Sequence, residues 1–161
     1  MSQAMYFEDI TEGTRIETGG INVTEAHIVG FAGLAGDFFG LHMDDQFARE
    51  LGFPRRVAHG LLCLALVDGL KNRAEEQFAA VASLNWNWNF RAPVFAGDRI
   101  SAAVEVTQIR PTSDGSRGLV TLRFEVRNQD GAIVQDGTNL LLVRTRGAAP
   151  ARDPSPAPGN R

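Results

Sequence analysis

The sequence predicts an α+β domain in which a curved antiparallel sheet of about five strands wraps around one central helix. Three observations lead to this prediction: helical spacing of apolar residues in the first third of the chain, a run of apolar residues that starts at Gly60, and strand-like alternation between Leu84 and Val143. A chain of 161 residues is long enough for one domain with a sizeable core, and its length excludes a double domain.

The first third of the chain predicts a short strand and two helices. Residues 15–18 follow a Gly13-Thr14 turn and form the strand. Thr24 is a good N-cap, and apolar residues at helical spacing predict a helix over 25–35 that Gly36 ends. A second short helix is expected over 44–51, stopping at Gly52. The connection between these helices then carries Asp37 and His42.

The central helix is expected to start at Gly60 and to end near residue 78. Its first turns are apolar on every side, which requires burial. The strand after it is predicted from the alternation of Leu84, Trp86, Trp88 and Phe90 with asparagines. Three further strands are predicted over 100–106, 122–126 and 133–143, with a hairpin at 129–131 and a bulge at Gly137.

Composition excludes several classes of protein. A formal net charge of −3 provides no cationic surface for nucleic acid. No apolar stretch reaches the roughly 18 residues of a membrane-spanning helix, and residues 1–5 do not resemble a signal peptide, so a cytoplasmic protein without a membrane partner is expected. The single cysteine, Cys63, forms no intrachain disulfide and is interpreted as a small buried hydrophobe rather than a nucleophile.

Asp37 and His42 are the main candidates for catalysis. An isolated aspartate in a loop commonly bonds the local backbone, and an isolated loop histidine is commonly structural. Here the two lie five positions apart among Phe38, Phe39 and Leu41, an apolar setting that desolvates both groups. The glycine that opens the central helix adds free backbone N–H groups at a helix N-terminus. The pattern therefore indicates a proton-transfer pair beside an anion-stabilising helix end.

Gly36-Asp37-x-x-x-Leu41-His42, together with Ala58-His59-Gly60, resembles the R-specific enoyl-CoA hydratases, or MaoC-like dehydratases, of the hotdog fold. The resemblance covers residues 7–145. It implies that Asp37 is the base, that His42 helps to hold and shuttle the proton of one water, and that the Gly60 N–H polarises the thioester carbonyl. It also implies an acyl-CoA or acyl-carrier-protein thioester as substrate, no cofactor, and a homodimer. The sequence departs from the family at Phe39-Gly40, where Asn-Pro is usual.

Five other residues are weaker candidates for contact with the substrate. Phe39 is expected to be an apolar wall that dries the site, and His59 is either a substrate contact or a packing or capping residue of the helix start. Leu61 adjoins Gly60, Trp86 either lines an acyl tunnel or belongs to the core, and Arg91 is either a CoA phosphate ligand or an ordinary surface arginine. The three histidines share no zinc-type spacing, so no metal site is predicted.

Two alternative functions remain open at this point. A hotdog thioesterase would direct water at the thioester carbonyl instead of C3, and a non-catalytic acyl-CoA-binding protein would keep the fold without turnover. The domain is expected to span residues 1–146. The proline- and alanine-rich segment 147–161 is expected to be a disordered tail.

Overall fold

A computed structural model describes residues 4–147 of the chain. After a short 3-10 helix at Phe7–Asp9, the elements are β1 (Arg15–Glu17), β2 (Ile21–Asn22), α1 (Glu25–Ala35), α2 (Gly40–Met43), α3 (Asp45–Glu50), α4 (Gly60–Lys71), β3 (Ala80–Phe90), β4 (Arg99–Pro111), β5 (Arg117–Arg127) and β6 (Ile133–Arg144). The predicted α+β class is therefore confirmed. Of the tail predicted to be disordered, residues 148–161 lie outside the described part of the chain.

The sheet is antiparallel, with the strand order β1-β4-β5-β6-β3. β2 also pairs with β4, and it was not predicted because two residues are too few to show an alternation. Strands β4 and β5 present every second residue to the core, which is the pattern that predicted them. The largest side chain in this core, Phe124, is fully buried in β5.

The central helix α4 packs on the sheet through Leu62, Cys63, Val67 and Leu70. It ends at Lys71, seven residues earlier than the sequence suggested. The chain that follows pairs with the N-terminal segment instead, because Met5 and Phe78 form a parallel bridge and the Met5 N–H donates to the Gln77 carbonyl at 2.7 Å. The prediction that the first turn of α4 is buried on every side is also wrong, because Leu61 is 60% exposed.

Strand β3 lies at the edge of the sheet. Trp86 and Trp88 are half-buried against Phe124, whereas Leu84 and Phe90 on the same alternation are exposed. The alternation therefore identifies one apolar face of β3. The core of this chain covers only the middle of that face, at Trp86 and Trp88.

Gly137 was predicted to mark a bulge, and this prediction is wrong. Gly137 pairs in regular register with Trp88 and Phe124, and the register shifts of β3 and β6 lie elsewhere. A Cβ atom at this position would come within 2.2 Å of the Asn87 carbonyl oxygen. The glycine allows the two strands to approach closely.

Within residues 4–147, no helix combines the length and the apolar character that crossing a membrane requires.

Cys63 is fully buried in α4, as predicted for a small hydrophobe. Desolvation, aided by the nearby charge of Asp98, raises the pKa of its thiol to about 12, so the thiolate is absent near neutral pH. We therefore expect the native protein to resist alkylation by iodoacetamide at pH 8, and the protein in denaturant to react fully. Mass spectrometry after timed quenching measures this difference, and rapid labelling of the folded protein would contradict it.

Candidate active site

The end of α1 places Asp37 in a loop. The helix begins at the cap residue Thr24, whose hydroxyl accepts from the His27 N–H at 3.2 Å. It ends at Gly36, which has a φ of +74° and donates its N–H to the Ala32 carbonyl at 2.8 Å. Because this left-handed conformation favours glycine, the helix stops one residue before the aspartate, as the sequence predicted.

Asp37 uses both its side chain and its backbone. Its Oδ1 accepts from the Phe39 N–H at 3.3 Å, and its backbone carbonyl accepts from Nε2 of His59 at 3.0 Å. The residue is otherwise exposed, so the carboxylate has free lone pairs for a ligand.

His42 lies in the one-turn helix α2, whereas the sequence had placed it in an irregular connection. Its Nδ1 lies 2.6 Å from the Val57 carbonyl oxygen. A carbonyl oxygen can only accept, so we assign the proton to Nδ1. The neutral ring then carries a lone pair on Nε2, which makes that atom a proton acceptor.

His59 holds the other two residues in place. It is 97% buried, since its relative exposure is 3%, and its ring stacks on that of His42 with the centroids 3.8 Å apart. By the same assignment, its Nε2 donates to the Asp37 carbonyl, while among the described residues Nδ1 has no hydrogen-bond partner. His59 occupies the N-cap position of α4, but its side chain makes no capping bond, so the capping interpretation is wrong and the packing interpretation is confirmed.

Gly60 is the first residue of α4. N–H groups in the first turn of a helix have no intrahelical partner and lie at the positive end of the helix dipole. The Phe90 ring covers this glycine so closely that a Cβ atom would lie 2.6 Å from it. The absence of a side chain thus leaves room for the aromatic ring beside the helix end.

These residues share one cleft of about 410 Å³. Asp37, His42, His59 and Gly60 all line it. Most of the remaining wall is apolar, and its larger side chains are Phe31, Leu41, Phe53, Val57, Leu61 and Phe90. An apolar cleft with a few convergent polar groups is typical of a small-molecule site.

The departure at Phe39-Gly40 has a structural explanation. The Phe39 ring packs edge-on against Phe47 at 5.5 Å and against His42 at 6.2 Å. A Cβ atom on Gly40 would lie 2.8 Å from the ring of Phe47, so the space that a proline would need is filled by that ring. Phe39 is half-exposed, packs against the His42 ring and is not among the residues that line the cleft, so the structure does not support the predicted wall of the site.

Arg91 and Trp86 were also predicted to contact the substrate, and of these two only Arg91 lines the cleft. Arg91 lines the cleft, but its guanidinium forms a two-point pair with Asp136 at 2.7 and 3.1 Å. This pairing raises the pKa of Arg91 and lowers that of Asp136, and it leaves the arginine partly exposed. Trp86 lies outside the cleft, because its ring packs against Phe124 and Trp88 and beneath the Lys71 ammonium. The core interpretation of Trp86 is the one that agrees with the structure.

The prediction that no metal site exists rested on sequence spacing alone. In the structure, Asp37, His42 and His59 each offer one ligand atom, and these atoms lie within 4.8 Å of one another. Spacing along the chain did not anticipate this cluster, because residues from a loop, the one-turn helix α2 and the start of α4 converge in space. Metal independence stays a prediction.

Two residues of the site were not predicted from the sequence. Phe90 covers Gly60, and Gln135 in β6 donates from Nε2 to the Gly60 carbonyl at 3.0 Å. Gln135 and Asn139 fall on the same alternation as the buried Leu141 and Val143. Polar side chains in an inward-facing series were the available signal for a buried hydrogen-bonding role.

The chain is similar in sequence and fold to proteins of known class. Residues 8–127 match the family described as MaoC like domain. An (R)-specific enoyl-CoA hydratase from Aeromonas caviae is 34% identical over 118 residues, which cover 73% of this chain and 84% of that protein. A 3-hydroxybutyryl-CoA dehydratase from Methylorubrum extorquens is 33% identical over 88% of this chain and 85% of that protein.

A solved structure extends the comparison to three dimensions. The X-ray structure of a monoamine oxidase regulatory protein from Archaeoglobus fulgius superposes with a TM-score of 0.83 and 33% identity, covering 93% of this chain and 99% of that one. The sheet that wraps around α4 is thus the hotdog fold. The chain belongs to the MaoC-like dehydratase family.

Proposed function

We propose that the protein hydrates trans-2-enoyl thioesters to R-3-hydroxyacyl thioesters, and catalyses the reverse dehydration, with Asp37, His42 and Gly60 as its catalytic residues. The observation that carries the proposal is that these three residues share one apolar cleft. The relatives named hydratase and dehydratase support the reaction, which makes the protein a hydro-lyase.

The chemistry follows from the atoms that face the cleft. The Asp37 carboxylate takes a proton from a water whose oxygen attacks C3, while Nε2 of His42 holds that water and shuttles the proton. The electron pair of the C2–C3 double bond moves towards the thioester oxygen, and C2 receives the proton that the water lost. Attack, enolate formation and protonation thus balance without any external reactant.

Gly60 stabilises the charge that develops on the thioester oxygen. Its N–H group lies at the positive end of α4, in a residue that lines the cleft. Donors fixed in this way stabilise the enolate-like transition state more than the neutral substrate, which is the condition for a faster reaction.

The substrate is proposed to be an acyl-CoA or acyl-carrier-protein thioester, without a further cofactor. Leu61, exposed at the cleft mouth, is the proposed contact for the acyl or pantetheine chain. Arg91 at the same rim is the proposed partner of a phosphate, in exchange for part of its pairing with Asp136. We also propose a cytoplasmic location, because a buried free thiol suits a reducing compartment.

The test separates hydration from thioester cleavage. Purified protein is incubated with crotonyl-CoA and longer trans-2-enoyl-CoAs, while enoyl absorbance and free thiol are followed in parallel. Loss of enoyl absorbance without thiol release, with R-3-hydroxyacyl-CoA as product, is the expected result. Thiol release at an equal rate would instead establish a thioesterase, and tight binding without either signal would establish a non-catalytic binding protein.

Phe39→Asn tests whether the departure from the family weakens catalysis. Since Phe39 packs against His42 and does not line the cleft, we expect the wild type to be active and the variant to change activity by less than about tenfold. Initial rates on short and medium enoyl-CoAs measure the change. An inactive wild type rescued by asparagine would show that the missing amide is needed to orient the water.

We further propose a homodimer formed through β3. This edge strand exposes Val81, Leu84 and Phe90, and its outer edge is unpaired among the described residues. An exposed apolar edge of this length favours pairing with a second copy. Light scattering at micromolar concentration should give twice the chain mass, and Leu84→Lys should shift the protein towards monomer. The matched variant Leu34→Lys, on the exposed side of α1, should remain dimeric.

A further inference from the structure

Gln135 forms a hydrogen-bonded link between the sheet and the first residue of the central helix. Its side chain is 98% buried, since its relative exposure is 2%. Nε1 of Trp88 donates to Oε1 of Gln135 at 2.9 Å, and Nε2 of Gln135 donates to the Gly60 carbonyl at 3.0 Å. One amide thus connects β3, β6 and α4 at the point where the cleft begins.

We propose that Gln135 is a positioning residue for the oxyanion donor at Gly60. This inference rests on the proposed function, because it assigns to Gln135 the placement of a group that the proposed reaction uses. The carbonyl of Gly60 and its N–H belong to the same residue, so a hydrogen bond that fixes the carbonyl also restricts how the N–H can rotate and shift. Gln135 itself lines the cleft, and within residues 4–147 its side chain makes no other hydrogen bond that would explain its burial.

The orientation of the amide is determined by its partners. The indole N–H of Trp88 can only donate, and a backbone carbonyl can only accept. The oxygen of Gln135 must therefore face Trp88, and its nitrogen must face Gly60. A buried amide with both ends satisfied is held in one orientation, because rotating it would bring two donors together and two acceptors together.

The position of Phe90 makes this placement important. Its ring covers Gly60 from the neighbouring strand β3, where Phe90 pairs with Gln135, so the helix start contacts both an aromatic ring and the Gln135 amide. Without the link to Gln135, the helix end can move away from the sheet, and a displacement on the order of an ångström is enough to weaken catalysis by about tenfold to a hundredfold.

The experiment compares two buried amides on one strand. Gln135→Leu removes the link to Gly60, whereas Asn139→Leu removes an equally buried amide that donates to the Asn85 carbonyl at 2.9 Å and, among the described residues, makes no side-chain hydrogen bond to α4. We expect Gln135→Leu to lower kcat for enoyl-CoA hydration about tenfold with KM changed less than about threefold, and Asn139→Leu to leave kcat within about twofold. Equal losses in both variants, or an unchanged kcat in Gln135→Leu, would overturn the proposal.

Two additional measurements cover the cases in which kinetics fail. If Gln135→Leu does not fold, Trp88→Phe is the substitute variant, because it frees the Gln135 oxygen while keeping an aromatic ring. It should lower kcat several-fold at constant KM. An unchanged kcat in this variant would refute the proposal. The amide resonance of Gly60 in a nitrogen-proton correlation spectrum should shift in Gln135→Leu and not in Asn139→Leu. If the wild type hydrates no enoyl thioester, the proposed function fails, and this resonance still determines whether Gln135 positions Gly60.

Discussion

Replacing Asp37 by asparagine should lower the hydration rate at least about a hundredfold, the usual scale for the loss of an acid-base group. The amide keeps the oxygen that accepts from the Phe39 N–H, so the loop should hold its shape while the base is lost. Rates on crotonyl-CoA at saturating substrate measure the effect. Asp130→Asn is the matched control, because this aspartate lies in the β5–β6 hairpin outside the cleft, and it should behave as the wild type.

His42→Ala should have a similar effect on catalysis and a visible effect on stability. The variant loses the proton-shuttling Nε2 and also the Nδ1 bond to the Val57 carbonyl, which contributes about 1 kcal/mol. We therefore expect a melting temperature a few degrees lower, with the fold intact at 25 °C. Wild-type turnover in a folded Asp37→Asn or His42→Ala variant would contradict the catalytic assignment.

Gly60→Ala should also lower the hydration rate strongly. Its new Cβ atom would lie 2.6 Å from the Phe90 ring, so either the ring or the helix start must move. Because a shifted helix start displaces the N–H group that is proposed to bind the thioester oxygen, we expect a loss of about a hundredfold in kcat, comparable to the removal of one oxyanion donor.

Two companion variants show whether this loss comes from strain or from chemistry. Gly69→Ala adds a methyl group on the same helix where nothing lies within 4 Å, and it should leave activity unchanged. Gly60→Ala combined with Phe90→Ala removes the clash and should recover part of the lost kcat. An unchanged loss of kcat in the double variant would show that displacement of the helix start is not its cause.

Periodicity predicted the parts of the fold that are governed by local rules. Thr24 and Gly36 define the limits of α1 because a cap and a left-handed glycine act within one turn. The end of α4 was missed because it depends on a distant partner: the chain after Lys71 pairs with Met5. The burial of β3 was predicted wrongly for a similar reason. Alternation shows which face of a strand is apolar, but not which part of a protein covers that face.

The candidate site was predictable where the chemistry lies in short motifs. The spacing of Asp37 and His42, together with the glycine at residue 60, was sufficient to predict that these three residues share one site. All three line the cleft. The stack of His42 on His59 and the bond from Gln135 to Gly60 join residues 17 and 75 positions apart, and no local pattern carries such pairings. Sequence spacing therefore predicted the proposed reacting groups better than the residues that hold them.

The hydrogen bond from Gln135 to Gly60 also has a consequence for synthesis of the chain on the ribosome. Asp37, His42 and Gly60 leave the ribosome well before β6, the last strand and the source of Gln135. Until β4, β5 and β6 have been made, the apolar face of α4 has no sheet to cover it. A nascent chain therefore carries its reacting groups on an uncovered hydrophobic helix, which is the kind of surface that chaperones bind. The site can acquire its final geometry only after β6 has emerged and docked.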